Sequence, residues 1–572
     1  MARSSIWIRR FSAALALTTL AATSFTHTAA ACGGFFCSAT PVDQTAERII
    51  FSVNPDDTVT AYVNIQYAGE RDSFAWIVPV PSPPELGEFP QGVFNAIDVA
   101  TQPRYFSNQC FFGADNAGAP TASPGSNEGG SPGVTIINRQ QVGAFDTVTL
   151  EGDTAEVLIE WLQMNDYRIT TKMQPFIQEY IDDGMMFVAM KLLPDAQVAD
   201  IAPISMTYQG DRPMIPIRLT TVAAQPEMGI KAWIFASRRF GPENYQDLTI
   251  EDASIQIDQF TGRNNYLTVV SRSVDQVGGQ AFVTEYAQST AGLLQQIENQ
   301  FINQDDPDTV AASEALTDLL RRFPYLTRLY TRMSAEEMRA DPSFQPAENQ
   351  ADVSNIHDLT PEGPQDCNTM PPPPPPCAFT YCGREGVCVQ TLDGQEGCAC
   401  AAGEGSTARP TTTGVVGVTN GAIDVYCEPM DLNLSDPMED EFSTVCESFD
   451  CGENGECVLM NGNPTCRCAP GYAASAQMVF DSTTGTGRVT MACNEVDGEV
   501  PELPLLPRIG EPMVRPDDMN GTTTTPGTGN NNTLTNNKDS GGCSVGHGQS
   551  GAGAWGALAL LMGLAARRRR RN

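Results

Sequence analysis

The chain has 572 residues, of which 69 are acidic and 34 are basic, and its formal net charge is −35. A body this acidic repels nucleic acids and anionic lipid surfaces, so nucleic acid is not expected as a partner. The length leaves room for several domains, and 41% apolar residues are enough for at least one large core.

The chain is rich in cysteine and poor in histidine. Seventeen cysteines in an exported chain indicate disulfides rather than free thiols. Of the three histidines, His27 and His547 belong to the terminal segments, which leaves His357 for the body of the protein. Catalytic triads, Cys-His dyads and most zinc sites need histidine. The sequence therefore predicts no catalytic residue, no metal site and no cofactor.

The N-terminus has the pattern of a secretory signal peptide over residues 1–31. Three arginines in the first ten residues, an apolar run from Phe11 to Ala22 and small residues up to Ala31 precede Cys32. Processing is expected between Ala31 and Cys32. The apolar run is shorter than the roughly 20 residues of a spanning helix, which disfavours an uncleaved anchor. Lipidation of Cys32 is an alternative, although Ala29 stands where such sites usually have leucine.

Residues 32–345 are expected to form the main domain, of the α+β class. Alternating or continuous apolar runs predict strands at 47–53, 58–66, 73–79, 186–192, 214–219 and 230–235. Helices are predicted around 264–276 and 308–322. Another helix is predicted from Asp153, which would cap it, with Glu156 completing a capping box. Residues 114–133, rich in Gly, Pro, Ser and Asn, indicate an insertion. Strands with interspersed helices favour an α+β fold.

Four stretches of this domain carry a family resemblance: CGGFFC at 32–37, PVDQTAERIIF at 41–51, FAWIVPVP at 74–81 and YLTRLYTRMSAEEMRADPSF at 325–344. They resemble the bacterial domain of unknown function 2330. Because that family has no assigned activity, the resemblance implies no catalytic residues. Cys32, Cys37, Cys110 and Cys367 are expected to form two disulfides, whose pairing the sequence leaves open.

A polar, proline-rich linker over residues 346–376 precedes two copies of one cysteine pattern, at 377–427 and 446–493. Each copy is too small for a core of its own, so disulfides must hold it together. Six cysteines alone allow fifteen pairings. The cysteines are Cys377, Cys382, Cys388, Cys398, Cys400 and Cys427 in the first copy, and Cys446, Cys451, Cys457, Cys466, Cys468 and Cys493 in the second.

The spacing resembles that of modules like epidermal growth factor. This resemblance implies that the first cysteine pairs with the third, the second with the fourth and the fifth with the sixth. The last loop of each copy, with 26 and 24 residues, is longer than the pattern of that family. Calcium binding needs acidic residues directly before the first cysteine of a module, and neither copy has them.

The chain ends in a polar stalk and a short apolar segment. Residues 500–542 are rich in Thr, Asn, Gly and Pro, which is typical of a flexible stalk. The apolar segment at 551–566 is followed by five arginines, which would remain cytoplasmic. The order of Cys543, apolar segment and arginines resembles the myxobacterial-type sorting signal, over residues 543–572. The resemblance implies processing near Cys543 by a sorting protease; a plain transmembrane anchor is the alternative.

Two classes of function remain. Export, disulfide modules, a stalk and a sorting tail are typical of proteins displayed at the cell surface. They favour a non-enzymatic binding or structural protein of the cell envelope, held to the membrane by the C-terminal segment or a lipid, with an unknown envelope or extracellular ligand. The other class is an exported enzyme that uses a pair of carboxylates, which in glycosidases lie about 5–10 Å apart.

Overall fold

The structure is a computed structural model, and several predicted features lie outside the residues it describes. These features are the signal peptide before Ala31, Cys37, Cys110, Cys367, the insertion at 114–133, the stalk beyond residue 502 and the tail with Cys543. The described residues are 31–32, 44–64, 67–68, 75–107, 135–165, 167, 169, 173–193, 195–196, 201–222, 224–258, 262–300, 306–360, 374–402, 404–412, 419–429, 446, 449–460, 463–481 and 486–502.

Within these residues the chain is rich in strands, with six α-helices, which confirms a mixed α+β class. The helices are α1 (Gln91–Thr101), α2 (Ala155–Met164), α3 (Gln174–Asp182), α4 (Tyr266–Asp275), α5 (Thr290–Gln300) and α6 (Pro307–Arg322). Short 3-10 turns lie at Thr220–Val222, Asp252–Ser254 and Ala335–Glu337.

The strands up to residue 360 are β1 (Ala31–Cys32), β2 (Gln44–Val53), β3 (Thr58–Asn64), β4 (Tyr67–Ala68), β5 (Ala75–Val80), β6 (Glu85–Glu88), β7 (Arg104–Phe106), β8 (Thr135–Val142), β9 (Phe145–Glu151), β10 (Met186–Leu192), β11 (Ile204–Gln209), β12 (Ala224–Ala236), β13 (Phe240–Pro242), β14 (Gln246–Leu248), β15 (Ala281–Ser289), β16 (Tyr325–Met333), β17 (Phe344–Pro346) and β18 (Ile356–Asp358). At the predicted processing position, β1 pairs with β4.

An eight-stranded sheet forms the centre of this region, in the order β14-β15-β16-β12-β2-β3-β11-β6. The pairs β12–β2 and β14–β15 are parallel, and the others are antiparallel. Successive side chains of β2 point to opposite faces, so Ile49 and Phe51 enter one core and Ile50 the other. The sheet is therefore buried on both faces.

Each face of this sheet has its own partners. On the face of Ile50, helices α1, α5 and α6 complete an apolar core. On the face of Ile49, the sheet shares a larger core with α2, α3 and a four-stranded sheet of order β5-β10-β9-β8. The second core thus lies between two sheets, and it is the core that contains the candidate site.

Most of the predicted elements are present, with two corrections. The prediction of a strand at 214–219 is wrong: Met214 forms a single bridge to Ser343, and a 3-10 turn follows. Pro213 and Pro216 lack the N–H that a strand interior needs. The cap of α2 is Thr154, not Asp153, because the Thr154 hydroxyl accepts from the Val157 amide.

The shift of the cap also removes the predicted capping box. With Thr154 as the N-cap, the third helical position is Val157, so Glu156 is one position too early to complete the box. The predicted linker begins with Pro346, the last residue of β17, which pairs with β13. Its first half contains one strand, β18, which pairs with β7.

A buried ion network joins α1 to the eight-stranded sheet. The Arg328 guanidinium on β16 lies 2.8 Å from the Asp98 carboxylate and also pairs with Glu285 on β15. Lys231 on β12 lies 3.1 Å from the other oxygen of Asp98. The Tyr266 hydroxyl donates to Glu285. Because the buried charges are paired, this network is part of the scaffold.

The C-terminal part of the described chain is held by six disulfides, which confirms the prediction of disulfide bonds. They are Cys377–Cys388, Cys382–Cys398, Cys400–Cys427, Cys446–Cys457, Cys451–Cys466 and Cys468–Cys493. Within each copy this is the order first–third, second–fourth and fifth–sixth.

The two copies exchange strands with each other. Their strands are β19 (Gly386–Gln390), β20 (Glu396–Cys400), β21 (Gly405–Thr412), β22 (Thr419–Glu428), β23 (Gly455–Met460), β24 (Asn463–Cys468), β25 (Tyr472–Asp481) and β26 (Thr486–Glu495). They form two sheets, in the orders β19-β20-β25-β26 and β22-β21-β24-β23. Each sheet therefore combines one hairpin of the first copy with one of the second.

The exchange is reciprocal. Cys398 pairs with Ala474, and Cys466 pairs with Ser406. Ser406 and Ala474 occupy the same position in their copies, six residues after the fifth cysteine. The hairpins that cross over are the long last loops, and cysteines of both copies share one core. The two copies thus form one interleaved body, which is called the module pair below.

No helix in the described part of the chain is long and apolar enough to cross a membrane. The predicted membrane segment at 551–566 is not among those residues.

Candidate functional site

An apolar slot opens between the two sheets of the main domain. Fourteen residues line a space of about 430 Å³, part of which is open to solvent. They come from β2, β3, β5 and β11, from Pro81 and from the segment 214–216. Its walls include Phe51, Trp76 and Tyr208. Pro81 is exposed and Met214 is half-buried, so these two residues mark the mouth. Mostly apolar walls with one polar group among them are the kind of lining that small-molecule sites have.

Glu47 is the one charged residue among those fourteen. It lies on β2, on the same face as Ile49 and Phe51, and only 6% of its surface is exposed. Its buried Oε2 has no hydrogen-bond partner in the part of the chain that the structure describes. Burial, with a smaller contribution from the negative charge of Asp341, raises the pKa of Glu47 to about 8. The slot therefore holds an unsatisfied carboxyl group in an apolar environment.

Asp341 belongs to a second acidic group near the slot. The Arg218 guanidinium lies 3.0 Å from Asp341 and also contacts Glu179 and Asp183, at 3.2 and 2.6 Å. The Tyr180 hydroxyl donates to Asp341, and the Arg218 guanidinium lies over the Tyr180 ring at 4.1 Å. One guanidinium thus faces three carboxylates, which leaves the surroundings of Glu47 negative.

The slot is built largely from the stretches that carry the family resemblance. Residues 41–51 supply three of the fourteen lining residues, including Glu47, and residues 74–81 supply five, including Trp76. Asp341 lies in the stretch at 325–344. Three stretches far apart in the sequence therefore meet at one place.

Away from the slot, a buried pair of acidic residues lies where the module pair contacts the main domain. Asp275 at the end of α4 and Glu337 after β16 are both fully buried. Asp275 Oδ1 and Glu337 Oε1 find no donor in the described residues, and the two side chains lie close enough to share a proton. Burial raises the pKa of Asp275 and, together with the charge of Asp275, raises the pKa of Glu337 well above its usual range.

The first module covers this pair of carboxyls. The Tyr381 hydroxyl donates to Asp275 Oδ2, and the Arg384 guanidinium donates to the Asp275 carbonyl at 3.2 Å. Farther along the contact, Arg332 of β16 donates to the Tyr426 hydroxyl at 2.9 Å. The pair therefore belongs to an internal contact and not to the slot.

His357 lies at the edge of the main domain. Its Nδ1 is 2.7 Å from an Asp252 carboxylate oxygen, and its ring stacks on Tyr105 with 4.6 Å between the ring centroids. Over the described stretches of chain, neither a hydroxyl nor a thiol bonds to this imidazole. The arrangement holds β18 against the domain.

Sequence reasoning did not identify Glu47, Asp275 or Glu337. For Glu47 a signal was present: it precedes Ile49 and Phe51 at the period of two that places all three on one strand face. A charged residue on an otherwise buried face indicates a special environment. In the residues described, no group of three or more His, Cys, Asp or Glu side chains is arranged to hold a metal ion.

Comparison with known proteins gives one match. Residues 26–344, more than half of the chain, match the model of a family described as "Uncharacterized protein conserved in bacteria (DUF2330)". No curated protein and no solved structure matches the chain. The disulfides are consistent with an extracellular or secreted protein.

Proposed function

The chain belongs to the DUF2330 family, and we propose from the site itself that it is an exported, non-enzymatic protein of the cell envelope that binds an apolar ligand in the slot. The observation that carries the proposal is a buried carboxyl group at the wall of an apolar cavity, with one oxygen, Glu47 Oε2, that has no hydrogen-bond partner among the described residues. Such a group is costly in a folded protein unless a ligand or another function uses it.

The origin of the lining residues supports the same proposal. Eight of the fourteen come from two of the stretches that carry the family resemblance, and all fourteen lie within the residues that match the family model. A slot built in this way is the feature in which the members of the family would share a function.

The remaining segments would deliver and display this domain. We propose that the signal peptide exports the chain and that the two EGF-like copies form a rigid spacer. The stalk and the sorting signal would then present the chain at the envelope, after a sorting protease acts near Cys543. The interleaved disulfide-bonded pair suits a spacer because neither copy can move without the other.

The arrangement of carboxyl groups favours binding over hydrolysis. A glycosidase needs two carboxyl groups that face the substrate from opposite sides. The slot has one such group, Glu47, and the buried pair of Asp275 and Glu337 is covered by Tyr381. The enzyme alternative therefore has no matching geometry at the slot.

A dye-binding experiment tests the proposal. The full chain, with its disulfides formed, is titrated with the uncharged fluorescent dye N-phenyl-1-naphthylamine. Met214→Trp narrows the mouth and should weaken saturable binding at least about tenfold, whereas Met164→Trp, at a position that is 46% exposed on α2, should leave it unchanged. No saturable binding, or equal weakening by both variants, would show that the slot is not a binding site.

A further inference from the structure

We infer that the ligand of the slot is an organic ammonium ion with an apolar body, whose N–H groups donate to the Glu47 carboxylate. This inference rests on the proposed function and adds the chemical class of the ligand to it.

The first argument is the lone carboxyl group. Glu47 Oε2 is buried and without a partner in the residues described, and the other residues of the slot carry no charge. A buried carboxylate is stable only when it is paired, and an ammonium N–H supplies both the opposite charge and the missing donor. A ligand without a positive charge would leave the ionised form of Glu47 uncompensated.

The second argument is the aromatic wall. Phe51, Trp76 and Tyr208 all line the slot. Cations are attracted to the faces of aromatic rings, and an aromatic wall beside a carboxylate is a recurrent way to bind organic ammonium groups. The apolar lining then accepts the body of the ligand, which is the part that gains most from leaving water.

The third argument is the sign of the surrounding charge. Asp341 adds negative potential at Glu47, and its partner Arg218 is shared with Glu179 and Asp183. Carboxylate or phosphate ligands would therefore meet like charge both at Glu47 and beyond it. Among ligands of similar size, the slot should select cations.

The inference predicts a definite dependence on pH. Since the pKa of Glu47 is about 8 in the free protein, the carboxyl must lose its proton before an ammonium ion can pair with it. Burial raises the pKa of Tyr208, the other titratable group of the wall, and keeps it neutral. Affinity for an ammonium ligand should rise roughly 100-fold between pH 6 and pH 9 and fall only above about pH 10, where alkylamines lose their charge. A neutral ligand would show no such rise.

Calorimetric titration with n-octylamine and 1-octanol tests the class of ligand. At pH 9, Glu47→Gln should weaken octylamine binding at least about 30-fold and leave octanol binding within about twofold. Glu456→Gln makes the same change in the module pair, away from the slot, where 65% of the Glu456 side chain is exposed, and should change neither titration by more than about twofold. Urea unfolding of each variant checks that it is folded.

The outcomes separate the two proposals. Octylamine binding that is unaffected by Glu47→Gln, or that weakens as pH rises from 6 to 9, overturns the ammonium inference. The binding function survives that result if the dye still binds and Met214→Trp still weakens it. Stronger binding of octanoate than of octylamine overturns the inference in the same way. If neither the dye nor any octyl compound binds, both proposals fail.

Discussion

Tyr381→Phe removes a single hydroxyl from the first module, and its effect should appear in the stability of the main domain. The hydroxyl donates to Asp275, whose side chain is fully buried. Without it, Asp275 loses its bond at Oδ2, while Oδ1 already faces another carboxyl group. Hydrogen bonds to buried charged groups are worth about 1.5–3 kcal/mol. We expect the free energy of unfolding of the main domain to fall by this amount.

Tryptophan fluorescence during urea unfolding makes the coupling visible. Of the five tryptophans, Trp76, Trp161 and Trp233 lie in the main domain, whereas Trp7 and Trp555 belong to the terminal segments and the module pair contains none. The signal therefore reports unfolding of the main domain, although the substitution is in the module. An effect of Tyr381→Phe on this transition requires that the module be docked in solution.

The control is Tyr325→Phe, the same change at a hydrogen bond to Asp352 that is exposed. Exposed bonds of this kind contribute little, so the control should cost less than about 1 kcal/mol. If Tyr381→Phe shifts the fluorescence transition no more than Tyr325→Phe does, the module is not docked through Asp275 and the reasoning is wrong.

Three further predictions use the same unfolding assay or a thiol assay. Folding raises the pKa of Glu47 from 4.5 to about 8, so its contribution to stability is complete below pH 4.5 and is lost as pH rises through 8. As pH rises through this range, the free energy of unfolding of the wild type should therefore fall by up to about 5 kcal/mol relative to that of Glu47→Gln. Parallel curves of unfolding free energy against pH would contradict this. Arg328→Met leaves buried Glu285 without its cation and Asp98 with Lys231 alone, and it should cost about 3–5 kcal/mol, against less than about 1 kcal/mol for Arg322→Met at an exposed ion pair; equal losses would refute the network. A chain ending after residue 429 removes the strands that pair with β20 and β21, so alkylation should find free thiols in its first module, whereas a chain ending after residue 502 should show none there.

Local signals in the sequence located eight elements of the main domain: strands β2, β3, β5, β10 and β12 and helices α2, α4 and α6. The alternation of Thr58–Asn64 and the apolar period of α6 depend only on neighbouring residues, and both elements lie where the patterns predict them. The errors arose where two local signals compete. At 214–219 the apolar residues suggested a strand, but the prolines at 213 and 216 remove donors and the chain turns instead. At α2, Asp153 and Thr154 are both good caps, and only the helix geometry selects Thr154.

In the module pair, the sequence pattern indicates the disulfide-bonded copies but not how their strands pair. The repeated cysteine spacing indicated two disulfide-bonded copies, and the unusual length of the last loops was visible in the sequence. The strand pairing of those loops was not visible in the sequence, because a hairpin of the first copy can pair with its own module or with the other one. The reciprocal pairs Cys398–Ala474 and Ser406–Cys466 depend on backbone groups, which every residue except proline carries alike.

By itself the sequence determined what short-range chemistry controls: the class of the fold, the positions of five strands and three helices, the cysteine repeat and the acidic, histidine-poor character of the chain. Only the tertiary structure decided which distant groups meet. Glu47 becomes a candidate ligand-binding residue because Trp76 and Met206, from other strands, line the same slot, and Asp275 becomes a docking residue because the Tyr381 hydroxyl donates to it. The physical reason is that the pKa and the hydrogen-bonding needs of a carboxyl group depend on its surroundings, and packing between distant segments creates those surroundings.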